Sequence, residues 1–324
     1  MSAVPPSGIC PSGEDRRDAH RDIGPYAQFV DDAALFPPGS AAMADALSAH
    51  AGYQRTWFAD LVGPMLCPTA RLGDLVAGLD AENEDGTSLE LVLVGDQDSL
   101  VAACAEAGND PRLVVRGLES TLSGGRDLRA EVAAALPALI AACESSCAQD
   151  GEPTRRGEVL CKVEVPRTAA WLEAVGAIAA GAPEFDEPGC RRLAVTLRTG
   201  GVQAPAFPSE AEVAAFICRC VSGGLRFSCK GGLHHAVRHH DDRTGLEHHG
   251  FLNVLVGTGL ALSGGVVADV AEVISERRPE VLADAVQGFD AGSDGLARVR
   301  RSFLSFASCS VAEPLADLDG LGLL

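Results

Sequence analysis

The stretch "CKGGLHHAVRHHDDRTGLEHHG", Cys229 to Gly250, gathers one of the chain's two lysines and six of its eight histidines. Imidazole titrates near neutrality, and a desolvated lysine loses its proton readily. Three readings follow. In the first, Lys230 forms an imine or polarises a carbonyl while His235 moves the proton. In the second, His235, His239 and His249, joined by Asp32 (or by Asp31 or Glu164), hold a divalent metal, since a spacing of four puts 235 and 239 on one face of a helix. The third is a solvated histidine-rich loop.

The other lysine sharpens the first reading. With 24 arginines against two lysines, general positive charge comes from arginine. A retained lysine is then a candidate for what a guanidinium cannot do: lose a proton, form an imine, or act as a point charge. Lys162 lies in "EVLCKVEVP", where Leu160, Lys162 and Glu164 share one parity and Val159, Cys161, Val163 and Val165 the other. "RLAVTLRTGG" repeats the pattern with Ala194, Thr196 and Arg198 opposite Leu193, Val195 and Leu197. In "LRFSCKGG", Arg226, Ser228 and Lys230 oppose Phe227 and Cys229. Side chains alternate along a strand, so each run has one apolar face and one that turns polar toward its C-terminal end.

The surrounding elements decide what those faces meet. A helix is expected from Ala41 to about Tyr53. Strand-like runs, from "WFADLVGPML" through "LELVLVGD" and "RLVVRGLES" to "SFLSFASCS", then alternate with helix candidates at Asp98–Ala107, Leu128–Ser145, Thr168–Ala180, Glu210–Val221 and Ala268–Gln287. Such alternation predicts a parallel α/β sheet. No GxGxxG follows the first strand, which weakens a dinucleotide fold. The expected architecture is therefore a single-domain, TIM-type (β/α)8 barrel over residues 26–324, after a disordered leader over 1–25. A flexible insertion is expected near "SSCAQDGEPTRRGE". The apolar faces then meet the helices, and the polar residues enter the C-terminal mouth, where barrel enzymes build their sites.

A net charge of −19 argues against a nucleic-acid partner, which needs a basic face. The first residues, "MSAVPPSGICPSGEDRRDAHRDIGPY", lack an apolar secretory core. The tract "GFLNVLVGTGLALSGGVV" is interrupted by polar residues and glycines, so it reads as a buried helix rather than a membrane span. It is core or interface, which leaves a homo-oligomer open. Eleven scattered cysteines without zinc-type spacing fit free thiols in a reducing cytoplasm.

The remaining candidates serve a small anionic substrate. Arg198 suits a carboxylate or phosphate, helped by Thr196. The double glycines after two strands, represented by Gly200, Gly201 and Gly232, suit backbone contacts to an anion. Arg238 and Asn253 join this substrate-binding set. Asn253 orients a ligand or satisfies a buried backbone group. Asp31 and Asp32 are catalytic carboxylates or loop caps. Cys309, between Ser308 and Ser310, reads as a buried thiol because no base is assigned to it.

The segments "DDAALFPPG", "GLHHAVRH" and "HGFLN" resemble an uncharacterised bacterial protein family over most of the chain after the leader. In that family's pattern a proline follows the two histidines, where this chain has Ala236. The strand lysine lies two residues earlier, at the position of Ser228. Positions 228 and 230 share a face, so an amine reaches the same pocket, though not from one fixed spot. The resemblance implies that these segments act together and implies no reaction. The expected function is lyase, aldolase or isomerase chemistry, with Lys230 or Lys162, Glu164 and His235 as catalytic groups and no cofactor in the imine form. A metal-dependent hydrolase or lyase is the alternative, and a non-catalytic metabolite-binding barrel the third reading.

Overall fold

Eight parallel strands close on themselves in the order β1 (Val30–Asp32), β10 (Phe303–Ser308), β7 (Arg226–Lys230), β6 (Arg191–Arg198), β5 (Val159–Glu164), β4 (Leu113–Thr121), β3 (Leu89–Gly95) and β2 (Val62–Pro68), which returns to β1. This computed structural model describes residues 23–82, 88–147, 159–185, 191–242, 244–290 and 295–324. The leader expected over 1–25 falls outside the described residues up to position 22, as does the insertion from 148 to 158. The fold is the expected (β/α)8 barrel.

Helices α1 (Met43–Tyr53), α2 (Leu72–Glu82), α3 (Gln97–Gly108), α4 (Leu128–Cys147), α5 (Trp171–Gly181) and α6 (Glu210–Ser222) follow β1 to β6 in turn. Local chemistry sets their starts. Asp96 caps α3 by accepting from the Ser99 amide, and Ser209 and Glu212 form a reciprocal capping box on α6.

The connection after β7 is longer. An antiparallel hairpin, β8 (His239–Asp241) and β9 (Leu246–His248), is followed by α7 (Phe251–Leu262), α8 (Val267–Ser275), α9 (Pro279–Asp290) and α10 (Gly295–Ser302) before β10, and α11 (Ala312–Gly320) ends the fold. The apolar tract forms α7, buried at all but two of its twelve residues. No described helix is long and apolar enough to cross a membrane. The single helix expected over 268–287 is divided into α8 and α9. Pro279 lacks an amide proton and disfavours helical backbone at Arg278, so it starts α9 and cannot continue α8.

Outward residues of the strands meet the helices as their parity requires. Phe29, Phe251, Phe303 and Phe306 are fully buried, and Phe29 sits edge-on to the other three at 5.0–6.0 Å between ring centres. Each such side chain contributes roughly 1.5–3 kcal/mol through area removed from water. Inside the barrel, Ala33, directly after β1, forms a small apolar cluster with Leu66, Val92 and Ala307 of β2, β3 and β10. Toward their C-terminal ends the interior faces of β4 to β7 are polar.

Candidate active site at the C-terminal mouth

Strand register places the polar inner positions side by side. Glu164 pairs with Thr196, Thr196 with Ser228, and Arg198 with Lys230. Thr121 pairs with Glu164 from the other side. All of these side chains except those of Thr121 and Arg198 belong to buried residues.

Lys230 is the centre of the arrangement. Its Nζ donates to Glu119 and lies 2.5 Å from Glu164 Oε2. Glu164 also accepts from Thr121 Oγ1 at 2.8 Å and from Arg198 Nε at 2.8 Å. Glu119 accepts from Thr196 Oγ1 at 3.0 Å. Burial alone would pull the Lys230 pKa down, but the two carboxylates overrule it and hold the ammonium above its ordinary value. Burial pushes Glu164 up, and the charges of Lys230 and Arg198 reverse that, leaving its carboxyl below the usual range. The Arg198 side chain is 46% exposed, so this guanidinium opens onto solvent while anchored at one edge.

Lys162 does not join this mouth. It lies two residues before Glu164, which is about 6.6 Å deeper along a strand. Its Nζ donates to Asp31 Oδ2 at 2.8 Å, and Ser305 Oγ donates to the same oxygen at 2.8 Å. Asp31 and Lys162 border a cavity of about 430 Å3 at the opposite, N-terminal end of the barrel, with Glu90, Arg116 and Arg226. The polar parity was expected to place Lys162 in the mouth; parity sets the face, and depth along the strand sets the end.

Several other expected site residues serve the scaffold. Asp32 points away from the barrel interior, accepting from His50 Nδ1 at 2.9 Å and from the Ala34 amide at 3.0 Å. Gly200 and Gly232 bring two loops into backbone contact: a Cβ at Gly200 would lie 2.9 Å from the Gly232 Cα. Gly231 and Gly232 have φ of +74° and +80°. A Cβ at Gly201 would meet that of Ala206 at 2.9 Å. At these glycines the close approach of neighbouring chain leaves no room for a side chain.

Arg238, His249 and Asn253 form a buried network behind the hairpin. Asn253 Oδ1 accepts from the Arg238 amide at 2.9 Å, and its Nδ2 donates to the carbonyls of Val273 and Glu276 at the end of α8. His249 Nε2 donates to the Pro208 carbonyl at 2.7 Å, while Nδ1 accepts from Arg238 at 3.0 Å. Burial drives the His249 pKa down to about 4, and the nearby Arg238 charge acts in the same direction. Asn253→Ala removes three hydrogen bonds from this network and is expected to cost about 2–4 kcal/mol. A lowered urea midpoint checks it.

The spacing of His235 and His239 is not helical, because 239 begins β8. Their rings nevertheless meet edge to face at 4.8 Å. His235 Nδ1 contacts Asp317 at 3.2 Å, and that hydrogen bond raises its pKa. Both rings line a groove of about 480 Å3 with Pro279, Asp317 and Leu321, none of which is a mouth residue. The expected metal set of His235, His239, His249 and Asp32 is thus divided among three places. Among the described residues, no three His, Cys, Asp or Glu side chains are grouped to hold a metal.

Glu119 is the mouth residue that strand parity overlooked. It stands alone in "RLVVRGLES", and the β3–β4 register shifts between Leu91↔Val115 and Val92↔Gly117, so Arg116 is skipped. A bulge of this kind changes which residues share a face. A lone carboxylate near the C-terminal end of a predicted strand was its available signal. Comparison of the chain with protein-family models, curated proteins and solved structures gives no match.

Proposed function

We propose that this chain is a barrel enzyme that moves a proton on a small anionic carbonyl compound, as a lyase, aldolase or isomerase. The observation that carries this reading is an ammonium shared by two carboxylates at the C-terminal mouth, beside a half-exposed arginine. Lys230 acts as a protonated group that polarises the carbonyl. Imine formation needs the neutral amine, which Glu119 and Glu164 disfavour. Glu164 is the proton acceptor, and Arg198 binds the substrate's carboxylate or phosphate. Thr196 positions Glu119. Eight cysteines among the described residues are free thiols, which supports a cytoplasmic setting.

The test is deuterium exchange from D2O into a panel of 2-oxo acids and phosphorylated hydroxyketones, followed by NMR. Exchange at the carbon beside the carbonyl is expected for at least one member. It should fall roughly a hundredfold or more in Glu164→Gln, the scale of general acid–base catalysis. Arg198→Gln should raise KM more than it lowers kcat. Borohydride added with an exchanging compound should leave Lys230 unmodified. A reduced adduct on Lys230 would replace the ammonium role by an imine, and failure of the whole panel to exchange or bind would remove the reading.

A further inference from the structure

At the rim beside this site, the ends of β7 and β10 bring together a second set of reactive groups. Cys309, a partly exposed residue, directly follows β10, and its Sγ lies 3.9 Å from His234 Nε2. The other ring nitrogen, Nδ1, lies 3.1 Å from Glu313 Oε2 in the first turn of α11 and 3.3 Å from Ser308 Oγ. Nucleophile, base and orienting carboxylate are therefore in line, and a structure without substrate commonly shows such contacts somewhat long.

We propose that Cys309, His234 and Glu313 form a nucleophilic site that accepts an acyl group from a thioester or activated ester. The sulfur gives its proton to His234 Nε2 and attacks the acyl carbon. The C–S bond forms, the bond to the leaving oxygen or sulfur breaks, and His234 returns the proton to that leaving group. In the second half, His234 takes a proton from water, the hydroxyl attacks the acyl carbon, and the C–S bond breaks to restore the thiol. Glu313 holds the imidazole in the tautomer whose Nε2 faces sulfur. In the first turn of α11, Pro314 has no amide proton and the Glu313 amide donates to Ser310 Oγ at 3.4 Å, so the Ala312 amide is the one next in the chain that suits the developing oxyanion.

Two further features agree. The loop after β1 passes over the thiol so closely that a Cβ at Gly39 would lie 2.8 Å from the Cys309 Cβ, which gives the site one wall. Burial would lower the His234 pKa, but Cys309 and Glu313 raise it to about 9, which favours the ring as the holder of the proton that the sulfur gives up. His235 and Asp317, the next titratable groups, face each other. This site uses none of Lys230, Glu119, Glu164 or Arg198, so it stands apart from the carbonyl reading.

The test uses p-nitrophenyl acetate as acyl donor and iodoacetamide as thiol probe on the full chain at pH 7, with peptide mapping. A burst of about one p-nitrophenolate per chain is expected, with the acetyl group on Cys309. Iodoacetamide should label Cys309 at least tenfold faster than Cys218, which is also partly exposed but whose thiol burial pushes up. His234→Gln should slow acetylation roughly a hundredfold. Glu313→Gln, at a side chain that is half exposed, should slow it about tenfold with melting temperature unchanged. Acetyl on another residue, no burst, or a burst indifferent to both substitutions overturns the proposal.

Discussion

Lys230→Met is expected to cost about 3–5 kcal/mol at pH 7.5, the range for removing one partner of a buried ion pair. At roughly 2 °C per kcal/mol for a large domain, the melting temperature should fall by about 6–10 °C. The variant leaves Glu119 and Glu164, both buried, facing each other with only Arg198, on Glu164, as counter-charge. Like charges held together favour protonation of one of them. The deficit should therefore shrink on acidification from pH 7.5 to 5, because the variant gains stability by taking up a proton. The native protein behaves oppositely. Its Glu164 is held below the ordinary carboxylate value, so that contribution is complete above the unfolded pKa and is lost as pH falls through the folded one. Urea midpoints at the two pH values check this, and Lys230→Met/Glu119→Gln should recover a large part of the loss. A deficit independent of pH would mean that Lys230 contributes packing rather than charge.

Asp31→Asn is expected to be the second severe substitution, at about 3 kcal/mol. It preserves shape and leaves the Lys162 ammonium, 2% exposed, without its carboxylate. Lys162→Met should cost a similar amount, and the double variant less than the sum, because each single change strands the other partner. Chemical denaturation of the four proteins gives the coupling directly. Because this pair sits one layer below the mouth, the exchange reaction of folded Asp31→Asn at low temperature should stay within a few-fold of wild type. A collapse of activity in folded protein would bring Lys162 into the chemistry and overturn the division of the interior into a mouth and a floor.

The two lysines show where local pattern stops. Alternation has a period of two residues and is a property of each strand alone, so "EVLCKVEVP", "RLAVTLRTGG" and "LRFSCKGG" identify their inner faces before any partner is known. The apolar run of α7 and the capping box at Ser209 are equally local. The lysines' partners are not. Asp31 is 131 residues from Lys162, and Glu119 is 111 from Lys230. Those pairs exist only after the sheet closes with its particular stagger, which sets how deep each inner residue sits. The bulge that skips Arg116 then moves Glu119 onto the mouth face.

The histidines show the same boundary from the other side. Their clustering, the glycines at Gly231 and Gly232, and the end of β7 at Lys230 are visible in one continuous segment. A spacing of four is ambiguous because its meaning depends on backbone conformation, and here the chain turns into a hairpin rather than a helix. Tertiary packing then gave each ring its own surroundings: Asp317 for His235, the Pro208 carbonyl for His249, and Cys309 with Glu313 for His234. The sequence by itself determined the parallel α/β alternation, which favours a barrel, its polar inner faces and the crowding of histidines after β7. Only the closed structure decided which acid meets which base, because those contacts are made across the barrel and not along the chain.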